Sequence, residues 1–189
     1  MRVIAGKYKR RNLTTASGND ITRPTSDRVK ESIFNMLAQE LHAVNVLDLF
    51  SGSGSLGIEA LSRGANRVTF VEKNHEPAQC IQMNLDSLQV PNSAYSIVKS
   101  DVTRFLASYS SQEKFDLIFA DPPYKSPWYA HSLEELEKAK VCNKNCTVIF
   151  EMRKDLEISI QSNIKGWSKD DERIYGKTKI EIWRKREEI

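Results

Sequence analysis

The stretch that decides the fold reads VNVLDLFSGSGSLG and occupies residues 44–57. It begins with an apolar run of strand length, which predicts a buried β-strand. Gly52, Gly54 and Gly57 follow, and glycine accepts the tight turns that a chain needs between a strand and a helix. We therefore predict a strand, a glycine-rich loop and a helix from Ser55, an order typical of folds that bind nucleotide-like cofactors.

Short apolar runs and helical segments alternate along the rest of the chain. Parallel strands need a crossover connection, which helices provide, so the alternation predicts an α/β fold with a mostly parallel sheet. The segments 167–175 and 178–184, which flank Gly176 and Lys177, predict a closing hairpin, which adds an antiparallel strand near the C-terminus. The predicted strands are 44–50, 67–72, 94–99, 115–120, 147–151, 167–175 and 178–184.

The composition is that of an ordinary globular chain, with 189 residues of which 40% are hydrophobic and 28% charged. A chain of this length fits one domain and needs no disulfide or metal to fold. No stretch approaches the roughly 18 apolar residues of a membrane span. The cysteines, Cys80, Cys142 and Cys146, lack the spacing of a metal site. We therefore expect a cytoplasmic protein without metal or membrane association, and a monomer, although nothing in the sequence fixes the oligomeric state.

The basic arm, residues 1–30, carries eight basic and two acidic side chains, whereas the whole chain has a net charge of only +3. Its first fifteen residues alternate around Gly6 and predict a short β-hairpin, and the helical spacing after Ser26 predicts a helix that ends near His42. We predict 1–42 as a basic extension of a main domain at 43–189. The arm suits phosphate contacts, although lysines also protect a solvated edge strand. The predicted nucleic-acid contacts are Arg2, Lys7, Lys9, Arg10, Arg11 and Arg23.

Two classes of cofactor fit the glycine loop, because Gly52, Gly54 and Gly57 also satisfy the dinucleotide pattern GxGxxG. A dinucleotide places its pyrophosphate at the helix N-terminus, where Asp48 at the end of the strand would repel it. S-adenosylmethionine instead carries a cationic amino group, which can donate to Asp48. The position of Asp48 therefore favours S-adenosylmethionine as the cofactor.

Two further acids follow later strands. Glu72 ends the second strand twenty residues after Gly52 and can accept hydrogen bonds from both ribose hydroxyls of either cofactor. Asp101 lies just past the third strand and can accept from the adenine amine. Each acid could also be a surface residue at a strand end. The predicted cofactor-binding residues are Asp48, Phe50, Gly52, Gly54, Gly57, Glu72 and Asp101.

The sequence DPPY, from Asp121 to Tyr124, comes directly after the most apolar strand. Pro122 and Pro123 lack a backbone N–H, so their carbonyls remain acceptors in a turn with few donors. The Asp121 carboxylate and the Pro122 carbonyl can together accept both hydrogens of an NH2 group, which directs its lone pair toward a methyl donor. Tyr124 offers a ring on which a base can stack, and Trp128 and Tyr129 follow closely enough to help line a base pocket. We predict Asp121, Pro122, Pro123 and Tyr124 as the catalytic residues, the alternative being a mere turn.

These motifs resemble the amino-methyltransferases of the Rossmann-like S-adenosylmethionine class, and the wider sequence resembles the RsmD family. The resemblance implies a seven-stranded sheet with an antiparallel C-terminal strand and helices on both faces. It also implies transfer of a methyl group to the N2 amine of a guanine in 16S rRNA, as naked RNA or within an assembling small ribosomal subunit. The loop and its acids would then bind the cofactor, and the DPPY turn would hold the guanine. The similar segments are 1–6, 23–25, 27–31, 34–35, 47–65, 115–124 and 175–178.

Direct in-line transfer needs neither a metal nor a covalent intermediate, and well-oriented reactants alone gain roughly 7–11 kcal/mol. The target base must be unpaired or flipped, and RNA loops offer it at the lower cost. Other functions stay open from the residues alone. They are an adenine-amine methyltransferase of DNA or RNA, a protein-glutamine methyltransferase, a non-catalytic RNA-binding assembly factor and a dinucleotide-dependent oxidoreductase.

Overall fold

A computed structural model describes residues 1–16, 26–37, 40–123, 126–156 and 165–186. Two of the predicted site residues, Arg23 and Tyr124, lie outside these ranges. The chain forms two compact units, Met1–Val102 and Thr103–Ile189. The predicted boundary at residue 42 stays a prediction.

Among the described residues, the first unit contains three parallel strands, β1 (Asn45–Leu49), β2 (Arg67–Val71) and β3 (Tyr95–Val98), in the order β3-β2-β1. Helix α2 (Ser55–Ser62) connects β1 to β2. Helix α2 is buried along its whole length, and the sheet residues beneath it, such as Phe70, are fully buried. A Cβ atom at Gly57 would lie 2.3 Å from Cε1 of Phe70, so only glycine lets α2 approach β2 this closely. The elements are α1 (Asp27–Met36), β1 (Asn45–Leu49), α2 (Ser55–Ser62), β2 (Arg67–Val71), α3 (His75–Ser87) and β3 (Tyr95–Val98), and α4 (Val102–Ala107) begins at the end of the unit.

In the described part of the second unit, four strands, β4 (Phe115–Ala120), β5 (Cys142–Arg153), β6 (Trp167–Tyr175) and β7 (Thr178–Lys185), lie in the order β4-β5-β7-β6. Strands β4 and β5 are parallel, and β7 runs antiparallel to both of its partners, β5 and β6. The predicted α/β class, mostly parallel with a C-terminal antiparallel strand, is therefore confirmed. The elements are β4 (Phe115–Ala120), α5 (Trp128–Ala139), β5 (Cys142–Arg153), β6 (Trp167–Tyr175) and β7 (Thr178–Lys185).

Three predicted elements differ from those observed. Helix α1 ends at Met36 rather than near His42. The apolar spacing that predicted a longer helix includes Leu41, which is buried but not helical. Strand β5 begins at Cys142, five residues before the predicted strand, because Cys142 already pairs with Phe115 of β4. A register shift separates this pair from the pairing of Leu117 with Thr147. The N-terminal hairpin is reduced to the isolated antiparallel bridge between Arg2 and Asn12. Within the described ranges, no helix combines the length and the apolar character that a membrane crossing requires.

Candidate active site

The glycine loop joins β1 to α2 through backbone conformations that most residues avoid. Phe50, Gly52 and Gly54 have φ values of 60°, 54° and 79°, in the left-handed region that glycine adopts without strain. Gly54 is the N-cap of α2 and donates its N–H to the Ser51 carbonyl at 2.8 Å. The loop therefore forms a tight turn directly in front of the helix, as the sequence predicted.

Ser51 fastens this loop to the neighbouring strand. Its N–H donates to the Val71 carbonyl at 3.0 Å, and its hydroxyl accepts from the Val71 N–H at the same distance. The hydroxyl also donates to the Asp48 carbonyl at 2.6 Å. These bonds order the loop before any ligand is bound, so a ligand would meet a preorganised surface.

Glu72 lies against the glycine loop. One carboxylate oxygen accepts from the Gly52 N–H at 2.9 Å and the other from the Asn74 N–H at 2.8 Å. The side chain is only 6% exposed. Each carboxylate oxygen can accept more than one hydrogen bond, so this orientation is compatible with the predicted ribose contact, which stays a prediction.

Asp48 is more deeply buried than its predicted role requires. The residue is 3% exposed, and its Oδ2 accepts from the Gly57 N–H at 3.0 Å. Burial raises the pKa of Asp48 to about 7, the nearby negative charge of Glu72 adds to the rise, and the bond from Gly57 opposes it. The carboxylate thus anchors the first turn of α2, a structural task that its position in the sequence did not reveal.

Asp101 and Phe50 complete the predicted cofactor set. Asp101 follows β3 and is exposed, one residue before α4 begins. Phe50 is half-buried in the loop. The structure therefore brings Asp48, the loop and Glu72 into one bonded cluster, whereas contacts of Asp101 and Phe50 with a cofactor stay predictions.

The DPPY turn begins where β4 ends, in the second unit. Asp121 is half-buried, Pro122 is buried and Pro123 is exposed. The Pro122 carbonyl accepts from the Tyr129 hydroxyl at 3.0 Å. A carbonyl oxygen has two lone pairs, so one stays available for a second donor.

The tryptophan and tyrosine that follow the turn do not present a ring to a base. Tyr129 is fully buried and Trp128 is 6% exposed, and the Trp128 indole donates to Glu135 at 2.6 Å. Both rings pack in the core at the start of α5. The idea that they line a base pocket is therefore wrong.

The described part of the basic arm exposes its predicted contacts. Arg2, Lys7, Lys9, Arg10 and Arg11 are all exposed. Two of them also make bonds within the protein: Arg2 pairs with Asp27 at 2.9 Å, and Arg11 donates to the Ser87 carbonyl at 2.9 Å. The others present their charges on the surface, where phosphates could contact them.

Two buried polar residues that the sequence did not single out hold the arm against the first unit. Glu59 is fully buried in α2 and accepts from the Ile4 N–H at 2.7 Å and the Ala5 N–H at 3.0 Å. Asn84 of α3 accepts from the Thr14 N–H at 2.7 Å and donates to the Ser53 carbonyl, in the glycine loop, at 3.1 Å. The arm and the loop are therefore tied to the same helices.

A comparison with protein families matches residues 1–184 to the family described as Conserved hypothetical protein 95, which is the RsmD family. The chain belongs to this family. It is 36% identical over 187 residues to "Putative rRNA methyltransferase YlbH" of Bacillus subtilis, covering 98% of this chain and 100% of that one. It is 34% identical to "Ribosomal RNA small subunit methyltransferase D" of Haemophilus influenzae, over 86% of this chain and 84% of that one.

A solved structure extends the likeness to three dimensions. "Putative methyltransferase yhhF" from Escherichia coli superposes with a TM-score of 0.86 at 29% identity, and the match covers 98% of both chains. The chain therefore has the Rossmann-like fold of methyltransferases, with a mixed, mostly parallel sheet of seven strands. As a member of the RsmD family it is a methyltransferase.

Proposed function

We propose that this RsmD family member transfers a methyl group from S-adenosylmethionine to the N2 amine of a guanine in 16S rRNA of the small ribosomal subunit, in the cytoplasm. The family and the names of its relatives support ribosomal RNA as the substrate. The observation that carries the chemistry is the turn after β4, where a half-buried carboxylate, Asp121, adjoins the Pro122 carbonyl. This pair of acceptors suits an NH2 group.

The glycine loop and the three acids Asp48, Glu72 and Asp101 suit the methyl donor. Glu72 is held by two main-chain donors and accepts from the ribose hydroxyls, and Asp101 accepts from the adenine amine. The glycine loop has no charged side chain of its own, and Asp48 is the acid beside the N-terminus of α2. An ammonium group is therefore a better partner for Asp48 than a pyrophosphate. S-adenosylmethionine supplies that ammonium group together with an activated methyl.

The acceptor amine is a weak nucleophile, because its lone pair is delocalised into the base. Asp121 and the Pro122 carbonyl would accept its two hydrogens, which favours a pyramidal nitrogen whose lone pair is directed at the methyl group. The N–CH3 bond would form as the S–CH3 bond breaks, with S-adenosylhomocysteine as the leaving group and the surplus proton passing to Asp121 or to water. Positive charge develops on the nitrogen during transfer, and the Asp121 carboxylate stabilises it. Tyr124, outside the described residues, supplies a ring for stacking of the base.

The direct test is methyl transfer from labelled S-adenosylmethionine to separate pools of 16S rRNA, assembled small subunits, transfer RNA and duplex DNA. We expect label in 16S rRNA or in the subunit, and N2-methylguanosine after digestion of the RNA to nucleosides. Label in N6-methyladenosine, or in DNA alone, would replace this proposal by the adenine-amine alternative.

The pKa of Asp48 makes the affinity for S-adenosylmethionine depend on pH. With a pKa of about 7, the carboxylate is about 90% charged at pH 8 and about 10% charged at pH 6, because each pH unit changes the ratio of the two forms tenfold. The charged form is the one that pairs with an ammonium group. We therefore expect calorimetry to show about tenfold weaker binding by the wild-type protein at pH 6 than at pH 8.

Asp48→Asn is the matched control, because an amide oxygen can still accept from Gly57 but does not ionise. The variant should bind S-adenosylmethionine more weakly than the wild type at pH 8. Its remaining pH dependence measures every other contribution, including the titration of the ligand's amino group. Parallel pH profiles for the wild type and the variant would remove Asp48 from the cofactor site.

The basic arm should contribute electrostatic affinity for RNA. Changing Lys7, Lys9 and Arg10 together to glutamine is expected to weaken RNA binding and to make its salt dependence shallower. Each lost phosphate contact lowers the slope of log K against log salt by about 0.7–0.9. Titrations at several salt concentrations measure this slope.

The matched control removes three positive charges from exposed positions of the second unit and should leave the slope nearly unchanged. An equal loss of slope in both variants would mean that only the net charge matters. The control positions are Lys138, Lys154 and Lys169.

A further inference from the structure

We propose that Tyr129 is a positioning residue for methyl transfer, because its buried hydroxyl fixes the Pro122 carbonyl that accepts one hydrogen of the target amine. This inference rests on the proposed function and deepens it. It gives the DPPY turn a support that the sequence pattern does not contain.

The first observation is the geometry around the hydroxyl. Tyr129 is the second residue of α5, and its side chain is fully buried. Its Oη lies 3.0 Å from the Pro122 carbonyl oxygen and 2.8 Å from the Glu151 carbonyl oxygen. A hydroxyl has one hydrogen to donate, so the two carbonyls share it. One oxygen thus joins the turn after β4 to the C-terminal part of β5.

The second observation is the shortage of donors in the turn itself. Pro122 and Pro123 have no N–H. A peptide plane that ends in a proline nitrogen therefore cannot be held by a hydrogen bond donated to a neighbouring strand. A carbonyl with little support rotates with its peptide plane, and a rotation moves the acceptor away from the amine. The Tyr129 hydroxyl supplies from α5 the restraint that two prolines remove.

The third observation is the rigidity of the support. The Tyr129 ring is enclosed in the core, and its neighbour Trp128 is fixed by the bond from its indole to Glu135. Reacting groups must be held within a fraction of an ångström, since small displacements have large effects on rate. A fully enclosed phenol on a regular helix meets that requirement better than a residue of an exposed loop would.

The decisive variant is Tyr129→Phe, which removes one oxygen and keeps the ring in the core. We expect kcat with saturating 16S rRNA to fall about tenfold, the equivalent of about 1.4 kcal/mol in the barrier. The KM for S-adenosylmethionine and the binding stoichiometry of one per chain should stay at their wild-type values. An unchanged stoichiometry shows that the lower kcat does not come from a smaller folded fraction.

Tyr109→Phe provides the matched control. The Tyr109 hydroxyl also donates to a backbone carbonyl, that of Glu113 at 2.9 Å, in the same unit, and not to a described residue of the DPPY turn. We expect this variant to keep the wild-type kcat. A similar fall of kcat in both variants would show that any lost tyrosine bond in this unit has the same effect, and it would overturn the proposal.

A double-mutant cycle distinguishes positioning from general stability. Tyr129→Phe should lower kcat much less in an Asp121→Ala background than in the wild type, because the two residues act on the same amine. Full additivity would overturn the positioning role. Wild-type protein that methylates no RNA would instead refute the proposed function, whereas an active wild type with an equally active Tyr129→Phe variant would refute this inference alone.

Discussion

Asp121→Ala is expected to lower kcat for 16S rRNA about 100-fold or more, the loss that follows removal of a single preorganised group from a site of developing charge. The carboxylate has two tasks in the proposed reaction: it accepts a hydrogen of the target amine, and it stabilises the positive charge that forms on nitrogen. Neither task concerns the cofactor. The affinity for S-adenosylmethionine, measured by calorimetry, should therefore stay within about twofold of the wild-type value. A loss of about 1.4 kcal/mol of binding free energy would instead change the affinity tenfold.

Asp121→Asn refines the same test, because its amide oxygen can still accept one hydrogen but carries no charge. We expect a kcat between those of the alanine variant and the wild type. The matched control is Asp155→Ala, which removes an exposed acid from the same unit, where Asp155 pairs with Arg153. Single-turnover rates with RNA in excess measure the chemical step directly. A wild-type rate in Asp121→Ala would show that this carboxylate has no part in catalysis.

The strands of the fold could be predicted because each has a strong local signal. Phe115–Ala120 was predicted with its observed bounds, since an apolar run between polar segments has few alternatives. The predicted end of α1 was wrong, because regularly spaced apolar residues indicate burial and do not by themselves show that the chain is helical. Leu41 is buried outside the helix, and a sequence pattern cannot separate these two cases.

The site was predictable to the extent that motifs fix the order of groups along the chain. The sequence placed Glu72 at the end of the second strand, and the structure shows that its carboxylate accepts from the Gly52 N–H. The support for the DPPY turn was not predictable, because the Tyr129 hydroxyl reaches Pro122 and Glu151 only after α5 has packed. From the sequence, a tyrosine at this position could equally well line a base pocket or support the turn from the core. Its burial in the structure favours the second interpretation.

Glu59 shows the same limit more strongly, because a glutamate within a helix ordinarily faces water. Here it is fully buried and accepts from Arg63 Nε at 2.8 Å, in addition to the Ile4 and Ala5 amides. Lys30 is also fully buried, and its Nζ lies 3.7 Å from Oε2 of Glu59. Burial lowers the pKa of Lys30, and the negative charge of Glu59 opposes that effect. The negative charge of Glu59 therefore favours the charged form of the buried Lys30 ammonium.

Glu59→Ala is expected to lower the free energy of unfolding by about 3–5 kcal/mol, the cost of removing one partner from a buried ion pair. The change leaves the Lys30 ammonium without its counter-ion and the Ile4 and Ala5 amides without their acceptor. Urea unfolding measures the loss, and hydrogen exchange locates it: the two amides should lose protection first. The exposed pair of Glu134 and Lys138 is the control, since Glu134→Ala should leave the free energy of unfolding nearly unchanged.

Lys30→Met separates charge from packing at the same place. Methionine fills much of the space of the lysine stem, while Glu59 keeps Arg63 and two amides as donors, so we expect a smaller loss than in Glu59→Ala. The double variant should be more stable than the sum of the two single losses predicts, because neither charge is then left buried alone. Additive losses would mean that the amide bonds of Glu59, rather than its pairing with Lys30, hold the N-terminal segment on α2.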